Sequence, residues 1–181
     1  MPDFDTKQAL NTLISQSEIA NRVDALAASI AKDTSGSPTI LVALLKGSVV
    51  FLSDLMRRLH AHGVSPVIDF LMVSSYKDTQ ESSGTIEIIS DIKSSVEGKT
   101  VVLIDDIIDT GRTMLEVKKR LEAKHADKVL TVALLDKPSR RKVDILPDYY
   151  GFTIDDVFVV GYGLDFAGEY RCLPYIATIE N

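Results

Sequence analysis

The sequence predicts an α/β fold: a mainly parallel, twisted sheet with helices on both faces and a small lobe appended near the C-terminal end. Three observations predict it. Apolar runs without polar alternation at Thr39–Leu45, Val101–Ile104 and Val129–Leu135 read as strands buried on both faces. Segments with apolar residues at helical spacing lie between such runs, which is the strand–helix–strand rhythm of a parallel sheet. A chain of 181 residues, 45% hydrophobic and 25% charged, suits one domain that buries roughly two-thirds of its unfolded surface.

Element by element, Ser15 and Glu18 form a capping-box pattern ahead of Ile19, Val23, Leu26, Ala27 and Ile30, which recur at helical spacing. The turn SGSP then leads into the strand Thr39–Leu45, and Leu52, Leu55, Met56 and Leu59 mark the next helix. Val67–Val73 reads as a strand, Asp78–Gly84 as a polar loop and Thr85–Ile89 as a second, alternating strand. After Val101–Ile104, the residues Met114, Val117 and Leu121 mark a helix that precedes Val129–Leu135. Beyond Lys142 come Pro147, Gly151, a strand at Val157–Val160 and the glycine- and aromatic-rich stretch Gly161–Arg171, which supplies the small lobe. With no internal repeat and no linker, residues 1–181 read as one domain. In such sheets ligands bind beyond the carboxyl ends of the strands, so functional residues are expected just after strands.

A net charge of -6 argues against a nucleic-acid groove or an anionic membrane surface, both of which need clustered Lys and Arg. A small phosphorylated ligand stays compatible with that charge, because a few backbone N–H groups and one or two cations suffice to hold a phosphate. The single cysteine, Cys172, excludes an intrachain disulfide, and His60, His62 and His125 have no partners at zinc-ligand spacing. The opening MPDFDTKQAL has no basic-then-apolar leader, and no apolar run approaches the roughly 18 residues of a membrane span. A reducing, cytoplasmic location is expected.

The segment Val101–Met114, VVLIDDIIDTGRTM, carries the most chemistry. Thr110, Gly111 and Thr113 sit where a strand becomes a helix, so backbone N–H groups, hydroxyls and the helix dipole converge on a point suited to a phosphate. Gly111 lets the backbone approach closely, and Arg112 fills the slot between it and Thr113. Asp105 and Asp106 would repel that phosphate, so they are expected to face ribose hydroxyls, directly or through hydrated Mg²⁺. An isolated Asp-Thr-Gly would be read as solvated acids before a capped helix.

As a whole string this segment resembles the phosphoribosyl pyrophosphate-binding motif of type I phosphoribosyltransferases. Other segments follow in the order found in the hypoxanthine-guanine phosphoribosyltransferases, from about Thr39 to Tyr175. The resemblance implies a Rossmann-like core over about residues 36–163. It also implies a hood built from residues 164–181 and part of the N-terminus. Leu44–Ser48, LLKGS, resembles the family's pyrophosphate loop, in which backbone amides around Lys46 and Gly47 bind the leaving group, often beside a non-proline cis peptide. Ser74–Tyr76 resembles the flap that closes over the reacting centre, with Ser75 and Tyr76 as its residues. Lys137, after the strand ending at Leu135, matches the lysine that donates to the purine 6-oxo group. Phe158 is similar to the stacking aromatic, although it would serve equally as a core residue. Val159 would meet the base edge through its backbone, and Asp165 resembles the acid that holds a second Mg²⁺ through water. Arg171 matches an arginine that reaches the pyrophosphate, and Asp109 matches the general base. Two departures stand out: Asp105 replaces the Glu of many relatives, and Arg112 occupies a variable slot.

The resemblance implies transfer of the phosphoribosyl group from phosphoribosyl pyrophosphate to hypoxanthine, and to guanine, with Mg²⁺ as cofactor, by a homo-oligomer (dimer or tetramer) with no nucleic-acid or membrane partner. The alternatives are a regulator that keeps the fold and binds phosphoribosyl pyrophosphate or nucleotides, and a transferase for another base such as xanthine. The joint presence of Asp109, Lys137 and Arg171 favours catalysis over regulation.

Overall fold

The computed structural model describes residues 9–74 and 87–179. Its elements in chain order are β1 (Leu10–Ile14), α1 (Gln16–Asp33), β2 (Thr39–Leu45), α2 (Val49–Ala61), β3 (Val67–Ser74) and β4 (Glu87–Ser90), followed by β5 (Thr100–Ile108), α3 (Arg112–Ala123), β6 (Lys128–Asp136), β7 (Tyr149–Thr153), β8 (Val159–Val160) and β9 (Ile176–Ile179). Ser75 and Tyr76 of the expected flap lie outside the described residues.

Six strands form the main sheet in the order β4-β3-β2-β5-β6-β7. All neighbouring pairs are parallel except β3–β4, which is antiparallel. Period-two alternation along the central strands divides the core between the sheet's faces. Leu41 and Ala43 of β2 and Val102 and Ile104 of β5 pack with α1 and α2 on one face. Ile40 and Val42 of β2 and Val101 and Leu103 of β5 pack with α3 on the other. Because both faces are covered, these strands carry no polar alternation.

The helices form for local reasons that the sequence shows. Ser15 caps α1 in a capping box with Glu18, and the buried stripe is Ile19, Val23, Leu26, Ala27, Ile30 and Ala31. Burying each large aliphatic side chain of that stripe contributes about 1.5–3 kcal/mol. Phe51, Leu52, Leu55 and Leu59 form the buried face of α2, with Met56 packed at its margin. Met114, Val117 and Leu121 anchor α3.

A second, three-stranded antiparallel sheet has the order β1-β9-β8. It has no separate interior: Ile14, Val159, Leu164 and Ile176 belong to the same cluster as Ile19 and Leu52. Several elements differ from the sequence reading, among them β1, which it lacks, and β5, which is longer. Tyr149–Thr153, read only as turn-rich chain, is a parallel edge strand, and β8 is shorter than Val157–Val160. Arg22 of α1 secures that edge strand, donating from Nε to the Gly151 carbonyl and from Nη2 to the Tyr150 carbonyl, each at 2.7 Å. Among the described residues no helix is long and apolar enough to cross a membrane.

Candidate active site

Chain order reverses direction across the β2–β5 pair. From β2 the chain moves outward through α2 to β3, whereas β5, β6 and β7 follow on the opposite side. The carboxyl ends of β2 and β5 therefore bound a crevice at the topological switch point, where open parallel sheets bind ligands. The turns after β2, β5 and β6 all open onto that edge. They carry Lys46–Gly47, Asp109–Thr113 and Lys137 respectively.

β5 runs further than its apolar stretch suggests, through Ile108, so Asp105 and Asp106 lie inside the strand and not at its end. Pairing with β2 stops at Ile104, and β6 continues alongside to Ile108. Past Ile104, local side-chain bonds serve backbone groups on this stretch. Asp106 N–H donates to the Asp105 carboxylate at 3.0 Å, and Ile107 N–H donates to the Asp106 carboxylate at 2.9 Å. Loss of hydration raises the proton affinity of both acids above the ordinary carboxylate range, and the Asp106 charge pushes Asp105 further. Such a pair needs a cation or a shared proton.

Lys46 is exposed and Gly47 half-buried in the turn after β2, and the Leu45–Lys46 peptide bond is cis. Ser48 is fully buried, and its hydroxyl donates back to the Leu44 carbonyl at 2.5 Å. Gly47 packs directly on the Asp106 carboxylate, which occupies the space a Cβ would need. From the other side Gly163, at φ +103°, packs directly on the Gly47 carbonyl. This turn is thus held between Asp106 of β5 and the connection from β8 to β9.

The turn after β5 is built differently. Gly111 adopts φ +82°, a left-handed conformation, at the N-cap of α3, and no side chain caps that helix. Arg112 N–H makes only a long, 3.4 Å bond to the Thr110 hydroxyl. Helix N-terminal N–H groups left this way favour an anion. Arg112 is exposed, and Thr110 and Thr113 are partly buried. Asp109 precedes this turn, and Arg140 Nε donates to its carboxylate at 2.9 Å.

Lys137 is buried, with 8% of its surface exposed. Its ammonium donates to the Val157 carbonyl at 2.7 Å. Phe158 is 58% exposed, which removes it from the core, and it meets Phe166 edge-on with ring centres 5.7 Å apart. Val159, by contrast, is buried at the start of β8. Asp165 and Arg171 pair at 2.6 Å, and Arg171 also donates to the Gly163 carbonyl at 2.6 Å. Asp165 accepts a 2.9 Å bond from Gly168 N–H. The Arg171 charge reaches Asp106 and opposes the upward shift there. Asp165 does not join Asp105 and Asp106: among the described residues no three metal-ligating side chains converge.

This arrangement can be set beside known proteins. The family model described as a phosphoribosyl transferase domain matches residues 11–167. The chain belongs to that family. It is 45% identical over 168 residues to a hypoxanthine-guanine phosphoribosyltransferase of Staphylococcus aureus, covering 93% of this chain and 92% of the relative. A Staphylococcus epidermidis protein of the same name is 42% identical over 174 residues, covering 96% of each. A crystal structure of a hypoxanthine phosphoribosyltransferase from S. aureus superposes with a TM-score of 0.88 at 44% identity, covering 94% of this chain and 91% of that one. The phosphoribosyltransferase fold expected from the sequence is therefore the fold observed, and the chain is an enzyme of purine salvage.

Within this phosphoribosyltransferase, sequence reasoning overlooked residues that reach across the site. Arg140 bridges Asp109 and Asp156, while Arg141 donates to the Asp109 carbonyl at 2.9 Å and pairs with Asp136. The only available signal was the Arg-Arg doublet following Lys137, which has no chemistry until the fold brings it to Asp109. Gly163 was likewise read as part of a glycine-rich stretch, with no hint that it supports Gly47.

Proposed function

We propose that this phosphoribosyltransferase transfers the 5-phosphoribosyl group from phosphoribosyl pyrophosphate to hypoxanthine and guanine, releasing pyrophosphate and the purine nucleoside monophosphate. The observation that carries this reading is Lys137. An ammonium has three donors, and only one bond, to the Val157 carbonyl, is made among the described residues. A buried cation so placed calls for a further acceptor, and the 6-oxo group common to hypoxanthine and guanine supplies one. The names of the relatives agree with that choice.

In this mechanism the bond between ribose C1 and the pyrophosphate oxygen breaks as a bond from C1 to the purine ring nitrogen forms. Asp109 accepts the proton that leaves the nitrogen. Backbone amides of the Lys46–Gly47 turn and the Arg171 guanidinium stabilise charge that grows on the leaving group. The Thr110–Thr113 turn holds the 5-phosphate, and the exposed ring of Phe158 stacks on the purine, with the Val159 backbone at its edge. Ser75 and Tyr76 are assigned to the flap that excludes water.

The Asp105–Asp106 pair fits Mg²⁺, because hard oxygen ligands whose charges oppose each other in a poorly hydrated site suit a cation held by one or two carboxylates and substrate oxygens. Asp165 would contribute to a second ion through water. When bound, Mg²⁺ neutralises the pyrophosphate leaving group.

The test is Lys137→Met assayed with hypoxanthine, guanine and xanthine. Loss of the charged donor should lower kcat/KM for hypoxanthine and guanine by roughly 10–100-fold, a cost of about 1–3 kcal/mol, and leave the KM for phosphoribosyl pyrophosphate nearly unchanged. Full activity of the variant would remove Lys137 from base recognition.

A further inference from the structure

We infer that Arg140 is a positioning residue for proton transfer: it pins one oxygen of the Asp109 carboxylate and leaves the other for the purine's proton. This rests on the reading of Asp109 as proton acceptor. Nε of Arg140 donates to Asp109 Oδ1 at 2.9 Å, and its Nη1 reaches Asp156 Oδ2 at 3.4 Å. Among the described residues, Asp109 Oδ2 has no hydrogen-bond partner. The adjacent Arg141 fixes the same residue at its backbone, donating from Nη1 to the Asp109 carbonyl at 2.9 Å. Two consecutive arginines thus hold Asp109 at two points and leave one carboxylate oxygen open.

The surroundings argue against a chance surface pair. Arg140 ends the 3₁₀ turn Pro138–Arg140, and its N–H donates to the carbonyl of Lys137, the residue assigned to the base. Lys137 N–H donates to the Ile108 carbonyl, and Lys142 N–H donates to the Thr110 carbonyl, each at 3.0 Å. The turn that recognises the base is therefore laced along both sides of Asp109. Asp156, the second partner of Arg140, directly precedes Val157, whose carbonyl holds the Lys137 ammonium. One guanidinium consequently links the proton acceptor to both segments that frame the purine.

A guanidinium beside a carboxylate has two opposing effects. Its charge makes the carboxylate a weaker base, and its directed bond fixes the carboxylate plane. Here the side chains are 47% and 42% exposed, so water weakens the attraction within the pair, and what the geometry supplies is a fixed carboxylate plane. The expected gain is consequently modest.

The experiment compares R140A, R140K, D109N and the R140A/D109N double variant in turnover of hypoxanthine and phosphoribosyl pyrophosphate with Mg²⁺. D109N should slow kcat by on the order of 10²–10⁴-fold. R140A should slow kcat by about tenfold with little change in either KM, R140K should restore part of the loss, and R140A should add nothing in the D109N background. An unchanged kcat in R140A, with D109N slow, would overturn the role of Arg140 alone. A further tenfold loss in the double variant would also overturn it, because Arg140 would then act independently of Asp109. If D109N turned over as fast as the parent, the proton-acceptor reading would fail first, and the role of Arg140 with it.

Discussion

The turn after β2 and the turn after β5 lie side by side at the switch point, each joins a strand to a helix, and each depends on a glycine. Gly47 has no left-handed backbone; what excludes a side chain there is the Asp106 carboxylate packed on its Cα. Gly111 has φ +82° and is backed by Ile145 at 2.7 Å and Arg141 at 2.9 Å from the point where a Cβ would sit. One glycine makes room for a carboxylate, and the other permits a backbone bend against packed neighbours. Equal residues at equivalent places in the fold should therefore fail in different ways.

Gly111→Ala should give the largest effect on stability. A left-handed alanine costs about 1–2 kcal/mol and overpacking another 1–3, so the melting temperature should fall by roughly 5–15 °C. A thermal unfolding curve that matches the parent would erase the contrast between the turns.

Gly47→Ala should instead spare the fold, because the Asp106 side chain can swing aside, and should displace that carboxylate from its place. A displacement near 1 Å at a reacting centre costs on the order of 10²-fold in turnover. Parallel assays of melting temperature and kcat decide the matter: equal losses in both variants and both assays would show that the turns are not differentiated.

The smallest effect sharpens the comparison from the acids' side. The folded chain keeps protons on the Asp105–Asp106 pair at pH values where the unfolded chain has released them. The pair therefore favours folding below about pH 4, and that contribution is lost as pH rises through the raised folded-state values. Asp105→Asn removes one charge and keeps an acceptor for Asp106 N–H. Without divalent cations, its melting temperature should exceed the parent's by a margin that widens as pH rises above the ordinary carboxylate range. A margin that did not change with pH would mean the acids are not in conflict.

Much of this architecture was legible in the sequence because it is periodic. The unbroken apolar runs of β2, β5 and β6 and the stripes of α1 and α3 follow from burial on both faces, and Ser15 with Glu18 set the start of α1. The strand-to-helix junction around Asp109 was legible because an apolar run gives way to Thr110-Gly111 and then to apolar residues at helical spacing. β1 was missed because three of its five residues are exposed and its apolar pattern is weak. The edge strand β7 was missed because Pro147 and Gly151 read as breakers; yet Gly151 is where the neighbouring Leu134 carbonyl leaves no room for a side chain. The extension of β5 through its two acids was hidden as well, since apolarity ends at Ile104 while pairing with β6 does not. The grip of Arg140 and Arg141 on Asp109 joins residues distant in sequence, and local patterns carry no information about it.

The seat of Gly163 on the Gly47 carbonyl has a consequence for the order in which this chain is made. A ribosome delivers β2 and its turn early and the loop bearing Gly163 near the end. Until that late segment emerges, the carbonyl side of the Lys46–Gly47 turn has no Gly163 backbone against it. A nascent chain can therefore assemble its central strands β2, β5 and β6 before the Lys46–Gly47 turn gains its full packing. Truncated products ending before Gly163 would lack that support against the Gly47 carbonyl.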